Sequence, residues 1–416
     1  MNIKFLNVVL ILVLFLSFAN VKSQPRPKPI FIETNIIPNG NDFNCFVSYR
    51  IPYKNLVFIK DNGHYKSGLT FTIEAFADKN IAVRESSTES IESVDYERTE
   101  SPNDYLEGII RFNLPEGKYH FNPLVNLQNT KSTIKLNPFA VNIDKDSLSI
   151  LTPLPFFNSK INVDGDEHLR LVNFGNVVPF GKKKTNLLFP ISDTNIAKIF
   201  ISIEQDDEEI HSKEIESAGI APLSIQKFGD QIGINFKSAE PLFNLFILKD
   251  FSTKLKEGKA LLKFKSGEVE REFELNVEWV DKPLSLLMPE LAINLLENLI
   301  DKSEVNQMLK ADEEDYYKEL VEYWDPKDPD NETAFNEIMD EFYSRADVAI
   351  KSYATLNLKN GAKSDRGKIF IKYGSPDDIV RKYSDNNEVI EIWKYYKSNK
   401  EFTFVDRTGL GNFNLY

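Results

Sequence analysis

The residues with the most chemistry to offer lie in 361–378, the run GAKSDRGKIFIKYGSPDD. Asp365, Asp377 and Asp378 fall inside it, and Glu391 and Asp406 follow. Arg366 and Arg407 each stand directly after an aspartate. Paired carboxylates act as acid and base when their surroundings push their pKa values apart, so a hydrolase-like enzyme is one reading of this set. The structural reading is stronger. Asp377 and Asp378 suit a helix N-terminus, and Asp–Arg pairs lock a sheet edge. Asp365-Arg366 and Asp406-Arg407 are each followed within two residues by a glycine, Gly367 and Gly409. That repetition predicts two turns facing each other at one end of a sheet. Asp365→Asn and Arg407→Gln are then expected to be coupled in their effect on stability.

Little else in the chain points to catalysis. His64, His120, His168 and His211 stand singly, and none lies in the last third. A metal centre or a serine triad needs such residues together. Cys45 is the only cysteine and sits in the apolar run Phe43-Asn44-Cys45-Phe46-Val47, which reads as core. No phosphate loop or dinucleotide fingerprint occurs. Gly367, Gly374, Gly409 and Gly411 instead suit turns and close backbone approach. No metal, nucleotide or other cofactor is expected. A net charge of −13 is unsuited to nucleic acid or an anionic membrane.

The elements that must position these residues follow from periodicity. Lys4, the apolar run 5–18 and the small-residue site Val21-Lys22-Ser23 read as a signal peptide, residues 1–23. The mature chain is expected to start near Gln24, to carry no membrane span and to reach the periplasm, cell envelope or exterior. Residues 24–150 and 151–283 are rich in short alternating runs, and each reads as an antiparallel β-sandwich-like domain. Within the first, the Ser/Glu-rich stretch 85–104 lacks periodicity and reads as a mobile loop. Near Asp281-Lys282-Pro283 the period changes to a helical one. Leu291, Leu295 and Leu299 mark one helix, Tyr316, Leu320 and Trp324 a second, and 332–350 a third, capped by Asp330 or Asn331. Residues 368–373 alternate and read as a strand. Ser375, Pro376 and Asp378 then read as N-cap, N1 and N3 of a new helix. Runs 389–396 and 401–405 form a hairpin. The fold class expected is multidomain α+β. Two β-sandwich-like domains precede residues 284–416, a domain of helices packed on a small antiparallel sheet.

Those last residues resemble the GWxTD domain of exported bacterial proteins. Gly361-Ala362-Lys363-Ser364-Asp365 stands at the name motif, 366–379 continues its R-G-x-I-x-I-x-Y-G-x-P-D-x-I run, and Glu391 to Tyr396 matches E-I-W-x-Y-Y. Phe404 to Gly411 matches F-V-D-R-x-G-x-G, and upstream Trp324 to Pro329 and Asn336-Glu337 through Arg345 agree as well. Ala362 and Ser364 stand where the motif has Trp and Thr. The resemblance implies architecture and location, with no assigned reaction. The functional surface it implies comprises Gly361, Asp365, Arg366, Gly367, Tyr373, Gly374, Pro376, Asp377, Trp393, Asp406 and Arg407. A binding or scaffold module for another envelope protein is preferred over an enzyme. A carbohydrate-binding protein is a further alternative that the many Phe and Tyr permit.

Overall fold

Alternating apolar and polar residues dominate as far as Glu278, and the chain there is strand after strand. The computed structural model describes residues 30–131, 133–145, 149–163, 165–237 and 241–416. The expected export signal lies outside them. The protein is mostly β, with several antiparallel sheets and a helical region towards the C-terminus.

In the first block, strands Phe31–Asn39, Asp42–Pro52 and Tyr105–Leu114 form an antiparallel three-stranded sheet. A second sheet is centred on His64–Ala77 and Gly117–Leu127. The two share one core, with Val47, Tyr49, Phe71, Ile73, Ile110 and Phe121 interleaved. Cys45 lies in that core, fully buried, and burial pushes its thiol up to about 12.

The stretch 85–104 is not a mobile loop. Strand Asn80–Ser93 pairs along its whole length with His64–Ala77, and helix Tyr96–Thr99 follows under the cap of Asp95. Its partner strand supplies the buried face through Leu69, Phe71, Ile73 and Ala75. The outer strand needs no apolar alternation. It is stitched on by hydroxyl pairs, Thr70 to Thr88 at 2.9 Å and Thr72 to Ser86 at 2.8 Å.

The second block holds a seven-stranded and a five-stranded sheet. Phe189 and Phe246 of the first pack with Ile201, Ile203, Leu262 and Phe264 of the second. The two blocks also meet through apolar contacts, Ile37 and Phe46 packing with Leu154, Leu188 and Ile234. Buried polar groups cross the same boundary. Ser48 Oγ donates to Asn173 Oδ1 at 2.8 Å, and Arg50 donates to the Val172 carbonyl at 3.0 Å.

Strand Val269–Glu278 is the last of the second block, and a 3-10 turn at Leu284–Leu287 opens the helical region. Helices Pro289–Leu295, Lys302–Met308, Tyr316–Trp324, Glu337–Ser352 and Asp365–Tyr373 follow. A four-stranded sheet completes it, in the order Asp378–Tyr383, Val389–Tyr395, Lys400–Asp406, Asn414–Leu415. The change of period therefore falls where strands give way to helices. Packing does not separate there. Trp279 and Phe180, both upstream, join the helical core around Phe335, with ring centroids 5.1–5.5 Å apart.

Three local expectations are corrected. The long helix starts at Glu337 and is capped by Asn336, whose side chain accepts from Met339 N–H, so Asp330 and Asn331 stand in the turn before it. Residues 368–373 are helix, part of Asp365–Tyr373. Its buried positions are Gly367, Phe370 and Ile371, a helical spacing. The alternating Ile369 and Tyr373 are only half-buried. Asp378, expected at a helix start after Ser375 and Pro376, instead opens the strand Asp378–Tyr383.

Candidate functional site

The motif stretch is built outward from one turn. Asn360 Oδ1 accepts from Ala362 N–H at 3.0 Å and sets up a single 3-10 turn at Gly361–Lys363. Ser364 Oγ then donates to the Gly361 carbonyl at 2.7 Å and accepts from Gly367 N–H at 3.0 Å. This caps the helix Asp365–Tyr373. Gly361 lies flat against the end of the long helix. A Cβ there would overlap the Ala349 carbonyl oxygen and stand 2.5 Å from Ala354 N. Ala362 is 2 % exposed, so the position of the motif tryptophan points inward and packs. Gly374 ends the helix at φ 77°, and its carbonyl accepts from Tyr395 O–H at 2.9 Å.

The electrostatic centre of the site is Glu391, buried on the strand Val389–Tyr395. It accepts from Trp393 Nε1 at 2.7 Å, from Arg381 at 2.9 Å and from Arg366 at 3.5 Å. Burial pushes its carboxyl up, but Trp393 and the two guanidinium groups outweigh this and hold it below the usual carboxylate range. Arg366 is itself partly buried. Its guanidinium lies 4.0 Å from the Phe413 ring centroid and 5.3 Å from that of Tyr353, and it donates to the Gly411 carbonyl at 3.4 Å.

Asp406 is also buried. It accepts from Thr408 N–H at 3.1 Å, Thr408 Oγ1 at 2.9 Å, Gly409 N–H at 3.0 Å and Gly411 N–H at 2.6 Å. Burial pushes its carboxyl up, and these donors bring it below the ordinary range. The loop they shape needs positive φ at Gly409 and Gly411.

The remaining expected residues lie around this centre. Asp365 accepts from Leu415 N–H at 2.9 Å and stands 3.6 Å from Lys368 Nζ. Asp377 accepts from Tyr396 N–H at 2.6 Å, with Pro376 half-buried before it. The Tyr373 hydroxyl oxygen accepts from Lys400 Nζ at 2.9 Å. Arg407 points into solvent, 3.8 Å from Glu388.

The two turns therefore meet at one end of the sheet, but not through the two Asp–Arg pairs. Arg366 turns to Glu391 and the Gly411 carbonyl, Asp406 serves its own loop, and Arg407 is outside. Asp365→Asn and Arg407→Gln should consequently each cost no more than about 1 kcal/mol. Their effects should add to within about 0.5 kcal/mol. A denaturation series of the two single variants and the double variant checks this; a larger coupling energy would restore the paired-turn picture.

Sequence reasoning missed Arg381, Tyr353 and Phe413. Arg381 stands directly opposite Glu391 in the strand pairing, a signal readable only once 378–383 is known to be a strand. Chemically, the arrangement is a set of carboxylates each already holding its donors. Among the described residues no group of three or more His, Cys, Asp or Glu is placed to hold a metal ion. The histidines are likewise scattered: His168 stacks on Phe228 and His211 bonds the Phe251 carbonyl at 2.8 Å.

Comparison with curated proteins finds no match for the chain. A family model does match, over residues 267–415, and it is that of the GWxTD domain. This span takes in the capped helix, the four-stranded sheet, Glu391 and the strand Val269–Glu278 that leads into the helices. Residues 267–415 are therefore identified as a GWxTD domain.

Proposed function

We propose that this is an exported protein of the cell envelope, periplasm or exterior that works as a binding module for another envelope protein. In this reading residues 24–150 and 151–283 are two β-sandwich domains, and residues 284–416 are the domain that recruits the partner. The observation that carries it is the outer edge of the four-stranded sheet. Strand Asp378–Tyr383 pairs on one side only, with Val389–Tyr395. Its Ile379 and Tyr383 are 51 % and 71 % exposed. They share a face with Arg381, Trp393 and Glu391 but stay exposed, unlike Trp393 and Glu391. An extended segment of the partner adds there as a fifth strand, its backbone pairing with the open edge and its side chains meeting Ile379 and Tyr383. The hydrolase reading has less support, because the carboxylates it needs are engaged by backbone N–H groups, Trp393 and arginines.

Lysine at an edge strand opposes pairing, so the test is the variant Ile379→Lys/Tyr383→Lys in the full chain. Affinity capture from an envelope fraction should recover a defined partner with the wild type and lose it with the variant. This chain itself, purified from the producing cell, should begin near Gln24. Equal capture by both forms would overturn the edge as the docking site. Recovery of Met1 in the soluble fraction would overturn export.

A further inference from the structure

A cavity of about 350 Å³ opens where the first block, the second block and the start of the long helix come together. Its size is that of a small-ligand pocket. Its base is Arg50, 3 % exposed. The Arg50 guanidinium is sandwiched between the Tyr105 and Phe174 rings, 4.3 Å from each centroid, and pairs with Glu107 at 2.8 Å. Its Nε is buried without a hydrogen-bond partner. Phe157, Phe180 and Phe335 complete aromatic walls.

The charges around the rim do not cancel within the protein. Arg50 uses Glu107, and Lys182 pairs with Glu337 at 2.7 Å. That leaves Arg170 and Lys183 as the other cations of the lining. Arg170 reaches no carboxylate oxygen nearer than 3.9 Å, on the Glu107 already held by Arg50, and its Nε is buried without a partner. Asp281 and Asp340 also line the cavity. Burial first, and then the charge of Asp281, push the Asp340 carboxyl up to about 6. Among the described residues neither Lys183 nor Asp281 has an ion pair. Two cations and two carboxylates thus face one aromatic-walled space without neutralising each other.

We propose that this cavity binds a small zwitterion with a flat apolar body, of the aromatic α-amino acid class. Its carboxylate meets Arg170 and Lys183, and its ammonium meets Asp281 and Asp340. Its ring lies among the phenylalanines. The site is separate from the open sheet edge, so its failure would leave the partner reading intact.

Calorimetric titration of the full chain with L-phenylalanine tests the proposal, beside phenylacetate, phenethylamine and the dipeptide Phe-Phe. Phenylalanine should give saturable binding, with phenylacetate and phenethylamine about tenfold weaker or worse, since each forfeits one charged hydrogen-bonding group. Asp340→Asn and Lys183→Gln should each weaken phenylalanine by about tenfold. Both are placed at the rim, and Asp340→Asn removes a like-charge contact, so both should fold. No saturable phenylalanine binding would overturn the proposal. So would phenylacetate binding as tightly as phenylalanine with Asp340→Asn indifferent, or binding of the dipeptide but not of the free amino acid.

Discussion

Glu391→Gln should destabilise the C-terminal region by about 3 kcal/mol, near the lower end of what breaking a buried ion pair costs. The carboxylate is 3 % exposed and is the counter-ion of two arginines. Arg381 is largely exposed and can turn to water. Arg366 cannot, because its side chain is 14 % exposed and held between Phe413 and Tyr353. Glutamine keeps an acceptor for Trp393 Nε1 but leaves the Arg366 charge without a partner. Arg381→Gln, the exposed side of the same cluster, should cost no more than about 1 kcal/mol.

The measurement is favourable because all three tryptophans, Trp279, Trp324 and Trp393, lie in the C-terminal core. Tryptophan fluorescence in urea therefore reads that core, including the contact of Trp279 with Phe180 of the second block. The pH dependence has a definite sign. The Glu391 carboxyl is held below its ordinary range, so its stabilisation is fully present above the unfolded value of about 4.3. It is lost as pH falls through the lower folded value. The gap between wild type and Glu391→Gln should be constant above about pH 5 and close under more acid conditions. Equal midpoints at neutral pH would show that Arg366 finds another way to satisfy its charge.

What the sequence discloses, and what it hides, can be followed residue by residue. Cys45 reads as core because its neighbours are apolar, and it is fully buried. The strand-to-helix change near Asp281 is legible because whole segments change period together. The run 368–373 is not, because six residues with Ile369, Ile371 and Tyr373 fit two periods at once. The decisive signals are at its ends: Ser364 as a cap with Asp365 in the first turn, and Gly374 at a positive φ. The misread run also hid the site. Glu391 meets Arg381 only through strand register, and Arg366 only through a helix that crosses the sheet. The first half of strand 80–93 is legible in the run 81–87; its second half, inside 85–104, was hidden for the opposite reason: its partner carries the apolar face, so its own serines and glutamates show no pattern.

Gly367→Ala should cost about 2–3 kcal/mol, although alanine is the better helix former by about 1 kcal/mol. Gly367 is the third residue of the helix Asp365–Tyr373 and is buried. A Cβ there would overlap the Gly361 carbonyl oxygen, and it would lie 2.9 Å from that carbonyl carbon and 3.0 Å from Ala362 Cα. None of these is the tip of a flexible side chain. The Gly361 carbonyl also accepts from Ser364 Oγ at 2.7 Å and Ser364 N–H at 3.1 Å. Moving it out of the way loosens the cap that starts the helix. Gly361 cannot retreat, because it already lies against the Ala349 carbonyl and Ala354. Propensity and overpacking thus oppose each other, and overpacking is the larger. Lys368→Ala, one residue on and exposed, replaces one good helix former by another without the clash and should fall within about 0.5 kcal/mol of wild type. Urea midpoints from tryptophan fluorescence separate the two cases. If Gly367→Ala were as stable as Lys368→Ala, the close crossing of turn and helix would not be what the motif glycines hold in place.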